Sequence, residues 1–208
     1  MVTIRYLGQS GFEMSDDVST LLVDPTNKKS GELKGDFVYC THQHSDHTRG
    51  VEPFLELNQE AKLIGNQQVL EKFPKYEERT ILAKEGDSIE VGPWKFEFIK
   101  NRHGLFGSVL NLGTIIRAGD FSFGHPGDGI RFSGFYNAGL QYMAVPISGG
   151  FTASPRRAMG ELMKFGDPKP IIIPIHWLFR NPNSFCHKLK MNMEEITCQV
   201  PKTGQTLR

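Results

Sequence analysis

Short apolar runs separated by glycine, proline and acidic turns fill the first half of the chain. The runs VTIRYLG, GFEMS, STLLVD, DFVYCT and AKLIGN have the length and patterning of β-strands. EPFLELNQ and NQQVLEKF predict short helices, the second with Asn66 as its N-cap. DSIEVGPWKFEFIKN predicts a β-hairpin that turns at Gly92 and Pro93 and ends just before His103.

The second half of the chain repeats this theme. SVLNLGTIIRAGDFSFGHPGD predicts two strands around an Ala-Gly-Asp turn, and QYMAVPI and KPIIIPIH predict two more. SPRRAMGELMKFGDP predicts a helix with Ser154 as its cap and Pro155 at its first position, ended by Gly166 and Pro168. Strands that follow strands, with helices between them, predict an α/β fold of two mixed sheets with helices outside.

Length and charge narrow the possible partners. The 208 residues suit a single domain spanning 1–208, and 38% hydrophobic residues are enough for a core. A net charge of +1 gives no electrostatic reason to expect nucleic acid as a partner. No charged leader with a long apolar run is seen, and no apolar run approaches the length of a membrane span. We therefore expect a cytoplasmic protein with no membrane partner.

The three cysteines are Cys40, Cys186 and Cys198. Their odd number and wide spacing argue against a disulfide framework and for a reducing compartment. Cys40 lies two residues before His42, so it could be a metal ligand. A buried position in the strand FVYC is favoured, because a free cysteine behaves as a small hydrophobic residue.

Histidines and aspartates gather at particular places in the chain. The stretch CTHQHSDH contains His42, His44, Asp46 and His47 within six positions. His42 and His44 are two apart, so both can point the same way in an extended loop, whereas the adjacent Asp46 and His47 must diverge. One pair can therefore serve one metal ion and the other pair a second. Three further candidates each lie at the end of a predicted strand: His103, Asp128 and His176.

Imidazole and carboxylate without thiolate suit Zn²⁺, with Fe, Mn, Co and Ni as competitors. The alternative is a histidine-rich surface loop that picks up metal incidentally. Loops at strand ends are where binding sites are built, and packing gives histidines no reason to collect there. The placement of all seven residues therefore favours a dedicated metal site.

These residues carry a family resemblance. THQHSDH matches the H-x-H-x-D-H signature of the metallo-β-lactamase superfamily, and LLVDP, NRHG, HPGDG and IPIHW follow in the family's order around it. The chain most resembles the branch of metal-dependent hydrolases that contains ascorbate-6-phosphate lactonase. Those relatives often have Thr or Ser after the aspartate of GD, where this chain has Gly129, so the surroundings of Asp128 are less well supported.

The resemblance implies a four-layer αββα sandwich with two divalent metal ions at one edge. It implies that Asp128 bridges the two ions. It also implies that Asp24 steadies the metal loop, which is the segment THQHSDH (residues 41–47), although Asp24 could equally be a turn residue before Pro25. The remaining ligands it implies are His42, His44 and His103 for the first ion, and Asp46, His47 and His176 for the second.

The implied chemistry is hydrolysis by a bridging hydroxide, since two metal ions lower the pKa of a shared water. Asp46 and Asp128 would be the catalytic residues, and Asp46 could relay a proton. By elimination among related enzymes, a small-molecule ester, lactone or phosphoester is the expected substrate. The alternatives are a nuclease or phosphodiesterase acting on nucleic acid, and a non-catalytic protein that binds metal and ligand. A homo-oligomer is left open.

The stretch SGGFTASPRR could receive an anionic substrate, because it joins a glycine loop to a helix N-terminus beside Arg156 and Arg157. The alternative is that both arginines are ordinary solvated helix residues. His125 could support the site, with a surface or core position favoured. Three aromatic residues could line the pocket, with core packing as the default: Phe106, Phe151 and Trp177.

Overall fold

Two β-sheets form the framework of the computed structural model, which describes residues 1–103, 108–193 and 195–207. The strands are β1 Thr3–Gly8, β2 Gly11–Ser15, β3 Thr20–Val23, β4 Phe37–Cys40, β5 Lys62–Gly65, β6 Thr80–Leu82, β7 Ser88–Val91, β8 Trp94–Asn101, β9 Asn111–Ala118, β10 Phe121–His125, β11 Tyr142–Pro146, β12 Ile171–Ile175 and β13 Thr206–Leu207. The first sheet has the order β13-β1-β2-β3-β4-β5-β6, and the second has the order β12-β11-β10-β9-β8-β7.

Both sheets are mixed, as the sequence predicts. In the first sheet β13, β1, β2 and β3 pair antiparallel, and β3 to β6 pair parallel. In the second sheet β7 to β10 pair antiparallel, and β10 to β12 pair parallel. The two halves of the chain therefore follow the same plan, antiparallel strands first and parallel strands after them.

The helices are short and lie between the strands. They are α1 Lys28–Gly31, α2 Ser45–Thr48, α3 Val51–Leu57, α4 Gln67–Leu70, α5 Pro155–Leu162 and α6 Pro182–Asn192, with 3₁₀ turns at Pro74–Arg79 and Ser133–Phe135. Among the described residues, no helix combines the length and the apolar character that crossing a lipid bilayer would need.

Three apolar clusters confirm the four-layer αββα arrangement. Successive residues of a strand point to opposite faces, and β3 shows the consequence. Leu21 and Val23 join the core between the sheets, while Leu22 joins a cluster that packs the first sheet against α3 and α4. A third cluster packs the second sheet against α5 and α6, through residues such as Ile172 and Leu189.

The predicted helix caps are confirmed, but the helices are shorter than predicted. Asn66 caps α4 by accepting a hydrogen bond from Val69 N at 3.2 Å, and Ser154 caps α5 by accepting from Arg157 N at 3.3 Å. The α5 helix ends at Leu162, before Gly166. Neither α6 nor β13 is among the elements predicted from the sequence.

The expectation that the cysteines form no disulfide is wrong. Cys186 on α6 and Cys198 form a disulfide, with their Cα atoms 5.4 Å apart. The pairing depends on α6, whose position cannot be derived from cysteine spacing alone. Cys40 is free and buried, as predicted. With one disulfide present, cysteine usage no longer supports a reducing compartment.

Candidate metal centre

All seven candidate ligands lie at one edge of the sandwich, where strands of both sheets end. His42 follows β4, and the next turn of chain carries Asp46 and His47 into α2. His103 follows β8, while Asp128 and His176 follow β10 and β12. These strands belong to two sheets that pack face to face, so their ends meet at the same edge. The ligand side chains therefore converge, although 134 positions of sequence separate His42 from His176.

The first group brings together three imidazole nitrogens and a carboxylate. His44 Nδ1 lies 3.0 Å from His42 Nε2 and 3.2 Å from His103 Nε2. Asp128 Oδ2 lies 4.0 Å from His42 Nε2 and 3.8 Å from His103 Nε2. One ligand atom of each of these four residues lies within 4.8 Å of the others, which is close enough to share one ion.

The second group consists of Asp46, His47 and His176. Asp46 Oδ2 lies 3.2 Å from His176 Nε2 and 3.8 Å from His47 Nε2. Asp128 also reaches this group, because its Oδ1 is 3.4 Å from His47 Nε2 and its Oδ2 is 3.3 Å from His176 Nε2. The carboxylate of Asp128 therefore lies between the two groups.

Asp24 lies beneath the metal loop and is fully buried. Its carboxylate accepts hydrogen bonds from Thr41 N and Thr41 Oγ1, each at 2.8 Å, and from His47 Nδ1 at 2.7 Å. A turn residue would be satisfied by its own neighbours in sequence. The contacts of Asp24 are instead with the loop that carries the cluster, as the resemblance implies.

The other histidines are also oriented by outer partners. His42 Nδ1 contacts Thr41 Oγ1 at 3.1 Å, and His103 Nδ1 lies 3.1 Å from the carbonyl oxygen of Phe151. His176 Nδ1 lies 3.2 Å from Ser148 Oγ. A hydrogen bond at Nδ1 fixes the tautomer and leaves the lone pair of Nε2 free to face a metal ion. His44 differs, since its Nδ1 faces the centre.

Burial and neighbouring charges set the protonation of the centre. Burial lowers the pKa of His42, and the neighbouring His47 and His103 lower it further, so His42 is neutral. Burial raises the pKa of Asp128, but the imidazoles of His47, His176 and His103 together outweigh this effect and the net pKa is lowered. For His47 burial lowers the pKa, yet Asp24 and Asp128 raise it well above its ordinary value. Asp128 is thus held in its charged, ligating form.

Two buried atoms at the centre have no hydrogen-bond partner: His47 Nε2 and Asp128 Oδ1. They face each other at 3.4 Å. Leaving a buried polar atom unsatisfied costs about 1–3 kcal/mol. Because Asp24 and Asp128 raise the pKa of His47, its Nε2 carries a proton in the metal-free centre. A cation that displaces this proton would contact both His47 Nε2 and Asp128 Oδ1, so the residues present fit a metal ion.

The turn that carries Asp128 is held by hydrogen bonds to the side chain of Asn111. Asp128 N donates to Asn111 Oδ1 at 3.2 Å, and Asn111 Nδ2 donates to the carbonyl of Pro126 at 3.0 Å. A Cβ at Gly129 would lie 2.8 Å from Asn101 Cβ, which leaves no room for Thr or Ser there. The departure from the relatives is therefore a packing requirement, and Asp128 is well supported.

His125 is a core residue that also supports this turn. Its Nε2 contacts the Ser10 carbonyl at 2.9 Å, its Nδ1 accepts from Gly127 N at 3.1 Å, and its ring packs edge-on against Phe12. Of the surface or core position favoured from the sequence, the structure shows the core one, and His125 supports the site as well.

The remaining candidates differ in their exposure and in their contacts with the metal centre. Arg156 and Arg157 are exposed. The loop before them does reach the centre, through Ser148 and the main chain of Phe151. The Phe151 side chain is exposed, and Trp177 is partly buried against the inter-sheet core. Phe106 lies outside the described residues.

Gln9, whose Nε2 donates to Asp46 Oδ2 at 3.0 Å, is a functional residue that the sequence pattern did not indicate. The same is true of Asn111 and Ser148. Gln9 and Ser148 follow the ends of β1 and β11, as the histidines follow their strands, whereas Asn111 is the first residue of β9. Amide and hydroxyl side chains at strand ends, and not ionisable ones alone, are therefore the sequence signal for all three residues.

Comparison with known proteins finds relatives over nearly the whole chain. A UPF0173 metal-dependent hydrolase of Opitutus terrae is 24% identical over 225 residues, covering 99% of this chain and 95% of the relative. A UPF0173 metal-dependent hydrolase of Metallosphaera sedula is 28% identical over 195 residues, covering 85% and 84%. The solved structure of Igni18, a metallo hydrolase from Ignicoccus hospitalis, has the same fold, with a TM-score of 0.83 at 19% identity over 99% of this chain and 97% of that one.

The family model described as a β-lactamase superfamily domain matches residues 3–176, which include every candidate ligand. This chain therefore belongs to the β-lactamase superfamily domain family, within the metallo-β-lactamase superfamily, and it is a metal-dependent hydrolase.

Proposed function

We propose that this protein holds two divalent metal ions and hydrolyses a small ester, lactone or phosphoester. The observation that carries the proposal is the position of Asp128 between two ligand groups, with its Oδ1 and the facing His47 Nε2 both buried and without a hydrogen-bond partner. A single-ion site would use only one of the two groups.

His42, His44 and His103 would hold the first ion, and Asp46, His47 and His176 the second, with Asp128 contributing to both. When bound, such a pair of ions acts as a Lewis acid and lowers the pKa of water. The donor set favours Zn²⁺, with Mn²⁺, Fe²⁺, Co²⁺ and Ni²⁺ as alternatives. Cys40 is no part of it, because burial raises the pKa of its thiol and Sγ lies 3.5 Å from the carbonyl of His47.

The two catalytic carboxylates have different surroundings. The side chain of Asp128 is 4% exposed, and it keeps negative charge between the two groups. The side chain of Asp46 is 38% exposed, so it can reach both the centre and solvent. We assign to Asp46 the transfer of a proton between the centre and the entering or leaving group.

The substrate would enter beside His44, which is exposed while the rings of His42, His47 and His103 are buried. A net charge of +1 gives no field that would draw in a polyanion, so we favour a small molecule over nucleic acid. Anionic character of the substrate, a cytoplasmic location and a homo-oligomer stay predictions from the sequence.

The test is metal analysis followed by a substrate screen. Protein loaded with Zn²⁺ or Mn²⁺ should contain two ions per chain and hydrolyse lactones or phosphoesters faster than nitrocefin. A nucleic-acid arm with a salt series identifies phosphate contacts, because these make affinity fall steeply with salt. One ion or none at saturation in a folded protein, or nucleic acid as the best substrate, would contradict the proposal.

A further inference from the structure

Gln9 joins two of the candidate ligands from outside the metal centre. It lies in the turn between β1 and β2, far in sequence from both. Its side-chain Nε2 donates to Asp46 Oδ2 at 3.0 Å, and its main-chain carbonyl accepts from His176 N at 3.0 Å. The Tyr6 hydroxyl donates to the same carbonyl at 3.0 Å. One residue thus contacts both Asp46 and the backbone of His176.

The backbone of Gln9 has an uncommon conformation. Its φ is +52°, in the left-handed region that non-glycine residues seldom adopt. His176 has a φ of +47°, and the two residues are hydrogen-bonded to each other. Such conformations persist where surrounding contacts determine them, and they cluster at functional sites. The β1–β2 turn is therefore built to hold the carbonyl and the side chain of Gln9 in these directions.

Asp46 needs this support more than the other carboxylates do. Its side chain is 38% exposed, whereas that of Asp128 is 4% exposed and that of Asp24 is fully buried. In the structure Asp46 also contacts His176 Nε2 at 3.2 Å. A ring nitrogen that coordinates a cation cannot donate a hydrogen bond at the same time, so this contact is lost when His176 binds metal. Among the described residues, Gln9 is then the side-chain donor to Asp46 from outside the ligand set.

We propose that Gln9 is a positioning residue for the second metal subsite. Its amide holds Asp46 in the ligating direction, and its carbonyl holds the main chain of His176. The two ligands, one from α2 and one from the end of β12, therefore keep a fixed position relative to each other. The inference rests on the proposed two-metal function. Gln9 contacts neither the first group nor, by this assignment, the substrate, so its effect is confined to the second ion.

The experiment compares two substitutions with a matched control. Gln9→Met keeps the length of the side chain and removes the donor. Gln9→Asn keeps an amide that is too short for the contact, and asparagine tolerates a positive φ better than methionine does. Both variants retain the main-chain carbonyl. Gln141→Met is the control, because Gln141 is exposed and its side chain bonds to Ser122 N at the opposite end of β10 from Asp128.

Each protein is stripped of metal with a chelator and titrated with Zn²⁺, and its melting temperature is measured without metal. We expect the first ion to bind all variants equally. The second ion should bind both Gln9 variants about 10- to 100-fold more weakly, the usual effect of removing an outer partner of a metal ligand. The melting temperature without metal should match that of Gln141→Met.

The outcomes separate this inference from the proposed function. Wild-type protein that binds fewer than two ions would overturn the proposed function and this inference with it. Two ions in wild type, with unchanged second-ion affinity in Gln9→Met, would overturn the inference alone. If Gln9→Asn keeps wild-type affinity for the second ion while Gln9→Met loses it, the effect comes from the conformation of the turn. If both ions bind more weakly and the melting temperature falls, the effect comes from folding. Either result overturns the positioning role.

Discussion

His47 Nδ1 donates a hydrogen bond of 2.7 Å to the carboxylate of Asp24, and neither side chain is exposed to solvent. The same carboxylate accepts from the main chain and the hydroxyl of Thr41, the residue before His42. Asp24 therefore orients the ring of one ligand and fixes the backbone position of another, and it directs His47 Nε2 towards Asp128. This pair links the loop after β3 to the metal loop after β4.

Asp24→Asn should weaken metal binding by about 10- to 100-fold and reduce hydrolysis accordingly. An amide has one acceptor oxygen and an NH₂ donor, so it cannot accept the three hydrogen bonds that the carboxylate accepts. The measurement is a competition titration against a chromophoric chelator. Asp36→Asn is the control, because exposed Asp36 also accepts a backbone N–H, from Thr20 at 2.8 Å. Equal metal affinity in the two variants would show that Asp24 does not orient the ligands.

Asp128→Asn should keep the fold and lose most of the activity. Asparagine has the shape of aspartate but is neutral and presents one acceptor oxygen, so it cannot serve both ligand groups. Losing one transition-state interaction of this kind costs about 10²- to 10³-fold in rate. Elemental analysis should show a loss of the second ion, while circular dichroism should match wild type because Asp128 lies at a strand end. Normal turnover with both ions bound would remove Asp128 from the site.

The sequence predicts the ligands at the strand ends better than it predicts the residues that contact them. His103, Asp128 and His176 were found because each ends an apolar run, and the ends of packed strands meet in space. Gln9 was missed because a turn amide reaches a ligand 37 positions away only once the first sheet has formed. Local pattern gives the strand, but the partner of a turn residue is decided by tertiary packing.

The C-terminal part shows the same limit. Asn181 and Pro182 are a cap and a first helical residue, so the signal for α6 was present in the sequence, and Asn181 Oδ1 does accept from Ser184 N at 3.0 Å. The two-residue strand β13 has no local signal, because it forms only by pairing with β1. The disulfide followed neither from spacing nor from cysteine count, since it depends on where α6 packs.

Glu161→Gln should lower stability at neutral pH and flatten its dependence on acid. Burial raises the pKa of Glu161, but Lys164, Tyr136 and the N–H of Phe132 favour the carboxylate, so the net pKa is lowered from 4.5. A lowered folded-state pKa stabilises the fold above the unfolded pKa, and this stabilisation is lost as pH falls through the folded one. We expect a loss of about 1–3 kcal/mol near pH 7.

Urea unfolding from neutral pH to below pH 4.5 checks this prediction. Wild type should lose free energy of unfolding as pH falls below 4.5, and Glu161→Gln should lose less. Exposed Glu60, changed to Gln, is the control for removing a charge without removing buried contacts. Parallel pH curves for wild type and Glu161→Gln would mean that the bonds to Phe132 N at 2.8 Å and to the Tyr136 hydroxyl do not favour the ionised form.

Replacing Cys186 and Cys198 together by serine should lower the free energy of unfolding without affecting metal binding. The disulfide closes 12 positions of chain, and a link of this length stabilises by about 3 kcal/mol, chiefly by restricting the unfolded state. It ties α6 to the segment around Cys198, which pairs with Ile172 at the start of β12, at the opposite end from His176. The free energy of unfolding should therefore fall while both ions still bind.

Thiol titration in denaturant supplies the independent check: wild type should show one thiol before reduction, that of Cys40, and three after it. Three thiols before reduction would show that the pair is not oxidised in the isolated protein, and the stabilisation assigned to the disulfide would then be absent.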